Sequence, residues 1–327
     1  MPALKPWAQP AALNSRGILG MNRRNIAYIA RYNDRKYFPL VDNKLTTKMI
    51  AAEFDLAVPK LMATITAQHE VERIEEMLDG ITKFVAKPAQ GSGGKGILVV
   101  HDRDGEYFVK ANGERIDLQE LKRHLTNIIS GLHSIGGRND LAFIEEMVEI
   151  DDMFADYSFE GVPDIRLIVF QGIPIMGMLR LATRASDGKA NLHQGAIGVG
   201  LDITTGEAIQ AVQFNSIVES HPDTGARLEN IKVPNWPALL RLASLCYDVT
   251  ELGYLGCDIV IDKRYGPLIL ELNARPGLSI QIANNAGLVT RLRQIEAIPA
   301  RRLRRMRIDN RVEYAMREFG NSKAVEN

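Results

Sequence analysis

The sequence has only two cysteines, Cys246 and Cys257, among its 327 residues. Two cysteines are too few for a disulfide framework, and their spacing matches no metal-binding motif. No apolar run approaches the roughly 18 residues that a membrane-spanning helix needs, so a transmembrane protein is not expected. The chain also lacks an excess of either charge, because 40 basic residues balance 40 acidic ones. Net charge therefore gives no reason to expect a specific nucleic-acid partner.

The first 17 residues, MPALKPWAQPAALNSRG, contain prolines and no apolar segment typical of a secretory signal. We therefore expect a cytoplasmic protein. Hydrophobic residues make up 46% of the chain and charged residues 24%, which is ordinary for a globular protein. Its length is enough for two or more lobes. Residues 1–42 show only weak helical periodicity and are interpreted as an extended arm with a short helix.

The most informative stretch, YLGCDIVIDKRYGPLILELNARPGL, spans residues 254–278 and reads as a β-hairpin. The predicted strands are residues 256–262 and 267–273. With this turn Asp262 faces Pro267 and Asp258 faces Glu271. Because side chains repeat every two residues along a strand, Asn273 shares the face of Glu271. Three oxygen ligands on one face favour a hard cation, Mg²⁺ or Mn²⁺, although a hairpin edge with solvated acids has the same pattern.

A second candidate site is the glycine-rich segment FVAKPAQGSGGKG, residues 84–96. Glycines such as Gly93 and Gly94 allow backbone N–H groups to approach an anion. Lys87 and Lys95 supply positive charge. The segment lacks the Walker sequence and joins two predicted strands, residues 81–87 and 95–101, so any phosphate contact would come from loop amides. The alternative is a flexible hairpin turn.

Around these sites, short strands alternate with helices. The remaining predicted strands are residues 61–66, 142–148, 164–170, 173–181 and a segment around residue 197. Helices are predicted at residues 44–55, with Asn43 as the cap, at 70–78, at 117–132 with a capping box of Asp117 and Glu120, at 235–252, and from residue 288 onward. This order indicates an α+β fold of two lobes with mainly antiparallel sheets.

The sequence GCDI followed by ELNARPG resembles the metal-binding core of the ATP-grasp superfamily. It is most similar to the alpha-L-glutamate ligase-like relatives of the ribosomal-protein glutamate ligases, and the resemblance covers residues 44–287. It implies a two-lobed fold with ATP between the lobes and Mg²⁺ at Asp258, Glu271 and Asn273. Many ATP-grasp enzymes have a complete α/β domain before these lobes, and we expect none in the segment that precedes them here.

The resemblance also implies roles for individual residues. Lys87 and an earlier helix lysine would contact the ATP phosphates. Lys48 matches the earlier position best and Lys44 is the competitor. The strand FIEEMVEI would read adenine, and an acid beyond it would bind ribose. The residues implied in adenine binding are Glu145, Glu146, Met147 and Val148, and those competing for the ribose are Glu149, Asp151, Asp152 and Asp164.

Further positions match the superfamily on the side of the second substrate. Arg166, in DIRLIVFQG, would orient a carboxylate or the transferred phosphoryl group, although a structural salt bridge is the alternative. Arg275, in NARPG, would bind the substrate carboxylate or acyl-phosphate. The segment NLHQG places Asn191 near the phosphates, with Lys189 beside it. His193 is a candidate base or a structural histidine, and Gln194 replaces an arginine of the ribosomal-protein ligases, which leaves the substrate open.

These features predict an ATP- and Mg²⁺-dependent carboxylate–amine ligase that forms an amide through an acyl-phosphate, with Lys95, Arg166 and Arg275 as catalytic residues. Its substrates would be small-molecule or peptide carboxylates and amines, with glutamate as one candidate. One alternative is an ATP-binding regulatory module without turnover, and another is a hydroxyl or sugar-linked acceptor. The predicted divisions are residues 1–42, 43–140, 141–290 and 291–327. A homo-oligomer is left open.

The basic run ARRLRRMRIDNR, residues 300–311, is the last feature of note. It would contact an anionic lipid, RNA or an acidic partner, or it forms a solvated helix face with Leu303, Met306 and Ile308 turned inward.

Overall fold

Apolar strands of this chain form two antiparallel sheets in a computed structural model that describes residues 9–91, 93–134 and 136–320. The six-stranded sheet has the order β1-β6-β2-β3-β4-β5. Its strands are β1 Leu61–Ile65, β2 Phe84–Pro88, β3 Leu98–Asp104, β4 Tyr107–Lys110, β5 Arg115–Ile116 and β6 Ala142–Glu145. The expected strand over residues 142–148 thus ends at Glu145, and it lies between β1 and β2 of this sheet.

The seven-stranded sheet has the order β11-β10-β9-β8-β7-β12-β13. Its strands are β7 Asp164–Phe170, β8 Ile173–Leu181, β9 Ile197–Leu201, β10 Ala208–Gln213, β11 Ser216–Val218, β12 Tyr254–Asp262 and β13 Gly266–Asn273. The predicted bounds of β7 and β8 are confirmed. These strands consist mostly of apolar residues, with few polar ones, because helices cover the sheet.

Thirteen α-helical segments lie within the described residues: α1 Pro10–Ser15, α2 Met21–Arg23, α3 Ala30–Tyr32, α4 Pro39–Asp42, α5 Lys44–Glu53, α6 Gln68–Glu72, α7 Ile74–Met77, α8 Leu118–Ile129, α9 Trp236–Thr250, α10 Ile280–Ala283, α11 Leu288–Glu296, α12 Ala300–Leu303 and α13 Ile308–Phe319. The caps predicted from sequence are present. Asn43 accepts hydrogen bonds from the first turn of α5, and Asp117 and Glu120 form the capping box of α8. The expected helix over residues 70–78 is instead the pair α6 and α7.

The N-terminal segment differs from an extended arm with one short helix. Its described part is mostly helical, with a π-helical turn at Arg24–Ile29 between α2 and α3. Leu19 and Tyr28 are buried in the core of the larger sheet. The Asn33 carboxamide donates to the carbonyls of Tyr254 and Ala274 and accepts from the Tyr254 N–H. This segment is therefore built into the second lobe, because its buried polar groups pair there.

The hairpin β12–β13 corrects one predicted pairing. Asp262 pairs with Gly266, whereas Pro267 pairs with Ile261. A β-bulge between Asp258 and Ile259 then shifts the register by one residue, so Asp258 still lies opposite Glu271. A bulge adds one residue to one strand and re-aims the side chains beyond it. The predicted facing of the two carboxylates is therefore confirmed, although one step of the register was wrong.

Candidate functional site

Two lysines from different elements converge on one buried carboxylate between the sheets. Lys48 of α5 places Nζ 2.6 Å from Glu145 Oε2, and Lys87 of β2 forms an ion pair with the other carboxylate oxygen. The Glu145 side chain is only 2% exposed. Burial alone would raise the pKa of Glu145, but Lys87 and Lys48 outweigh it and lower that pKa. Glu145 thus contacts both lysines with the side chain that we expected to read adenine.

The lysine pair carries a net positive charge within this cluster. Burial lowers the pKa of Lys48, and the Glu145 carboxylate opposes this effect. Lys48 also donates a hydrogen bond of 2.5 Å to the carbonyl of Pro59. These contacts orient two ammonium groups in a low-dielectric region, where a phosphate group would interact with them strongly.

The competing lysine, Lys44, lies about one turn before Lys48, at the start of α5, and contacts two other parts of the site. Its Nζ donates to the Gly91 carbonyl at 2.8 Å and lies 3.2 Å from Glu271 Oε1. It therefore joins the glycine-rich loop to the hairpin. The sequence left Lys44 and Lys48 as alternatives for one position, and the structure gives them different partners.

Asp258 lies in a buried network with two arginines. Arg166 forms a bidentate contact with it, through Nε at 2.7 Å and Nη2 at 2.5 Å, and Arg180 Nη2 lies 2.9 Å from Oδ2. Arg180 also pairs with Asp164 at 2.5 Å. Burial opposes the ionisation of Asp258, but Arg166 and Arg180 lower its pKa to about 2. Burial raises the pKa of Asp164 to about 6, because Arg180 compensates it only in part and Asp258 adds negative charge.

Arg180 is a site residue that the sequence interpretation missed. It lies on β8 directly opposite Asp164 of β7, so the pairing follows from the strand register. The available signal was a single charged residue in the otherwise apolar strand IPIMGMLRL. A charged side chain in a buried strand needs a partner, and a search for that partner would have pointed to Asp164.

The proposed metal ligands share one face of the hairpin. Asn273 Nδ2 donates to Asp258 Oδ2 at 3.3 Å, and Glu271 is the more exposed of the two carboxylates. No group of three or more His, Cys, Asp or Glu side chains arranged for a metal occurs among the described residues. Two carboxylates and one amide are nevertheless hard oxygen donors, which suit Mg²⁺ when phosphates and water complete its shell. The donor set fits Mg²⁺. Asp258 would then contact both the metal ion and the two arginines, Arg166 and Arg180.

The glycine-rich loop is held at both ends. Gly91 pairs with Ser134, and the Asp140 carboxylate accepts from the Gln90 N–H. The Gly96 carbonyl accepts a hydrogen bond from His124 Nε2 at 3.0 Å. A Cβ on Gly96, whose φ is +77°, would lie 2.6 Å from the His133 ring, so only glycine fits there.

The middle of this loop is open. Gly93 and Gly94 have φ values of +62° and +76°, and a Cβ on either would meet no atom within 4 Å. Lys95 is exposed. Gly93, Gly94 and Lys95 therefore face solvent, and space is left beside them for a ligand.

The segment after β6 is attached to the turn of the hairpin. Arg264 Nη1 lies 2.8 Å from Glu146 Oε1, and its Nη2 donates to the Met147 carbonyl at 3.3 Å. Asp262 accepts from the Glu149 N–H at 2.8 Å. Val148 is half-buried in the same segment. Three of the residues predicted to bind adenine, Glu146, Met147 and Val148, therefore lie in the segment after β6, and Arg264 is a partner that sequence reasoning did not find.

Three other predicted residues have partners in their own neighbourhoods. Lys189 is exposed and pairs with Asp187 at 3.0 Å, and the Asn191 side chain caps the turn Leu192–Gln194 by accepting from the His193 N–H. Arg275 Nη2 lies 3.4 Å from Asp42 Oδ2. The Arg275 guanidinium also lies 4.7 Å from the centre of the Phe38 ring. The structure does not bring these side chains into the lysine cluster.

A narrow cavity of about 10 Å³ lies between the two lobes, beside the lysine cluster. Its lining includes the following residues from both sheets and from α5: Lys44, Lys48, Lys87, Phe143, Glu145 and Glu271. Cavities that hold ligands of nucleotide size are typically hundreds of Å³. In this conformation the space between the lobes is therefore too small for a nucleotide.

Two antiparallel sheets with helices, and a charged cleft between them, define the ATP-grasp fold. The chain belongs to the family described as sugar-transfer associated ATP-grasp, whose model matches residues 23–297. No curated protein matches the sequence. Among the described residues no helix is long and apolar enough to cross a bilayer.

Several solved structures are similar to this chain. The ATP-grasp ligase PsnB complexed with minimal precursor has 13% identity and a TM-score of 0.42, with 79% of this chain and 59% of that chain covered. The D-alanine–D-alanine ligase from Bacillus anthracis complexed with ATP has 16% identity and a TM-score of 0.42, with 85% and 68% covered. The D-cycloserine synthetase DcsG has 14% identity and a TM-score of 0.43, with 86% and 79% covered. The chain thus spans about three fifths of the length of PsnB.

Proposed function

We propose that this protein is an ATP- and Mg²⁺-dependent ligase that activates a carboxylate as an acyl-phosphate and couples it to an amine. The observation that carries the proposal is the convergence of Lys48 and Lys87 on Glu145, across the cleft from the Asp258–Glu271–Asn273 face. Cations on one wall suit the phosphates of a nucleoside triphosphate, and oxygen donors on the other suit the metal ion that those phosphates bind.

The reaction needs no covalent nucleophile from the protein. A substrate carboxylate oxygen attacks the γ-phosphorus, the bond to the β-phosphate oxygen breaks, and ADP leaves. The amine nitrogen then forms the C–N bond, the bond from carbon to the phosphate oxygen breaks, and the nitrogen loses a proton. The chain contributes by positioning and by electrostatics.

Each group on the chain has a part in this scheme. Lys48 and Lys87 neutralise the charge of the ATP phosphates. The backbone amides of the glycine-rich loop, together with Lys95, cover the phosphates. Asp258, Glu271 and Asn273 would hold Mg²⁺, which compensates negative charge on the phosphates when bound. Arg166 and Arg275 orient the carboxylate or its phosphorylated form.

The residues after β6 and the NLHQG segment complete the nucleotide site in this proposal. Backbone groups of Met147 and Val148 would form hydrogen bonds with adenine once Arg264 no longer contacts the Met147 carbonyl. The same change would release Glu146 from its ion pair with Arg264. Asp164 is the candidate for the ribose, and Lys189 and Asn191 would reach the phosphates after the lobes adjust. Glutamate is one candidate amine, as the ribosomal-protein ligase resemblance implies.

A second candidate is a ligase with a sugar-linked acceptor. The family description, sugar-transfer associated ATP-grasp, favours it. The ATP site and its chemistry would be the same, with the amine or hydroxyl carried on a sugar.

The test is the release of ADP and phosphate with ATP and Mg²⁺, against a panel of amino acids, peptides and amino sugars, with the products identified by mass spectrometry. We expect stimulated turnover and a product formed with loss of water. Glu271→Gln should lower turnover about 100-fold or more, since it removes one metal-ligand charge. Glu106→Gln, at an exposed position, is the matched control and should retain full activity.

Two other results would contradict the proposal. ATP binding without stimulated turnover across the panel, with Mn²⁺ also tried, would favour the regulatory module. Equal turnover in the Glu271→Gln and Glu106→Gln variants would remove the hairpin from the mechanism.

A further inference from the structure

The basic run near the C-terminus encloses a groove that the proposed ligase chemistry does not use. Residues 300–307 include five arginines and no acid. The groove has a volume of about 740 Å³ and lies between α12 and α13. Four arginines line it: Arg301, Arg302, Arg305 and Arg317. Since the whole chain has equal numbers of basic and acidic residues, this is a local separation of charge.

The groove lies on the opposite face of the larger sheet from the ATP site. Arg311 of α13 pairs with Asp248 of α9 at 2.8 Å, so α13 lies on the side of α9. Cys257 of β12 also faces α9, with Sγ 3.8 Å from the Ala243 carbonyl. Neighbouring side chains on a strand point to opposite faces, so Asp258 points away from α9. A ligand in the groove would therefore not compete with ATP for space.

The arginines that line the groove are largely uncompensated. Arg301, Arg302 and Arg305 are exposed, and none of them forms an ion pair with a carboxylate in the described part of the chain. Arg317 pairs with its neighbour Glu318 at 2.9 Å and lies 5.7 Å from the centre of the Tyr314 ring. Several guanidinium groups around one concavity match an anion with several oxygens, because each guanidinium can donate two parallel hydrogen bonds.

The remaining lining distinguishes the groove from a flat basic face. Met306 and Tyr314 supply an apolar wall, while Asn310 and Glu313 supply hydrogen-bond acceptors. Leu303, Met306 and Ile308 are partly buried against the main core, which fixes the positions of the flanking arginines. A carboxylate beside an anion site suits a ligand that also carries hydroxyl groups, since hydroxyls donate to it.

We propose that this groove binds a phosphorylated sugar, with its phosphate or diphosphate group held by Arg301, Arg302 and Arg305. The sugar hydroxyls contact Glu313 and Asn310, and the body of the ligand lies along Met306 and Tyr314. The volume of the groove is within the range of small-molecule sites. This assignment goes beyond the proposed ligase function and does not depend on it.

The test measures binding of inorganic pyrophosphate and of UDP-glucose to the full chain by isothermal titration calorimetry. The variant R301Q/R302Q/R305Q removes three lining arginines. The matched control R304Q/R307Q removes two arginines of the same run that do not line the groove. All three proteins keep Lys48 and Lys87, so binding at the ATP site cancels in the comparison. Thermal unfolding establishes that each variant is folded.

We expect the triple variant to bind both probes about tenfold or more weakly, because it loses charge-assisted hydrogen bonds, and the double variant to bind like the wild type. We also expect UDP-glucose to bind more tightly than pyrophosphate. Equal loss in both variants would show a general basic surface and overturn the proposal, as would no binding of either probe. These results need no ligase turnover, so they are separable from a failure of the proposed function.

A second arm identifies the source of the phosphate. Co-sedimentation with phosphatidylcholine vesicles, with and without phosphatidic acid, tests a lipid headgroup. Binding to phosphatidic acid that is lost in the triple variant and retained in the double variant would assign the groove to a membrane-attached phosphate. Vesicle binding that follows only the number of arginines removed would contradict a built site.

Discussion

Lys48 Nζ lies 2.6 Å from Glu145 Oε2, and the two side chains are 8% and 2% exposed. Because Lys87 pairs with the same carboxylate, Glu145 holds two ammonium groups in a buried site. Glu145→Gln should therefore destabilise the protein by about 3–5 kcal/mol, since it leaves buried charge without its partner. Urea unfolding at neutral pH measures the change.

Glu146→Gln is the control for this substitution. Glu146 pairs with the half-exposed Arg264, and such pairs contribute about 1 kcal/mol or less. We also expect ATP to raise the melting temperature of Glu145→Gln more than that of the wild type, because phosphates replace the missing negative charge. An equal rise in both proteins would mean that the lysines do not contact the phosphates.

Arg180 compensates two buried carboxylates, Asp164 and Asp258. Arg180→Met should lower the free energy of unfolding by about 3–5 kcal/mol, because it leaves Asp164 without its ion-pair partner. The double variant Arg180→Met/Asp164→Asn should recover part of this loss, as expected for directly coupled residues. Chemical unfolding of both variants and of Asp164→Asn completes the cycle.

Arg115→Met provides the surface comparison, since Arg115 pairs with Asp104 where both side chains are more than half exposed. It should cost about 1 kcal/mol or less. Strictly additive effects of Arg180→Met and Asp164→Asn would be inconsistent with the network described here.

His124 gives the glycine-rich loop a dependence on pH. Its Nε2–H donates to the Gly96 carbonyl at 3.0 Å, since a carbonyl can only accept. Burial lowers the pKa of His124 below its ordinary value of 6.5, and His133 and Lys110 act in the same direction. The folded state therefore disfavours the protonated ring. This contribution to stability is present above pH 6.5 and is lost as the pH falls through the folded-state pKa.

His124→Gln should reduce this pH dependence, because a glutamine amide can donate to the Gly96 carbonyl and does not titrate. The measurement is the free energy of unfolding at about pH 7.5 and about pH 5.5. The exposed His69→Gln should leave the dependence as in the wild type. A wild-type pH dependence that persists in His124→Gln would assign it to another group.

Local features of the sequence predicted several structural elements around the candidate site. Strand alternation placed Asp258 opposite Glu271, and glycine spacing identified the loop over residues 91–96. Capping residues located the starts of α5 and α8. The limits of local reasoning appear between Asp258 and Ile259, where a bulge shifts the register, and at Glu145, whose partners come from α5 and β2. A bulge and a long-range ion pair both depend on neighbours that are distant in sequence.

The sequence by itself determined the alternation of strands and helices, the hairpin with its oxygen donors, and the supply of lysines and glycines for an anion. These depend on residue spacing and backbone preference within one element. Only the tertiary structure decided that Arg180 joins Asp164 to Asp258, that Glu145 holds both lysines, and that the N-terminal helices belong to the core of the larger sheet. Burial creates these pairings, because a charge removed from water is stable only beside a partner that the whole fold brings to it.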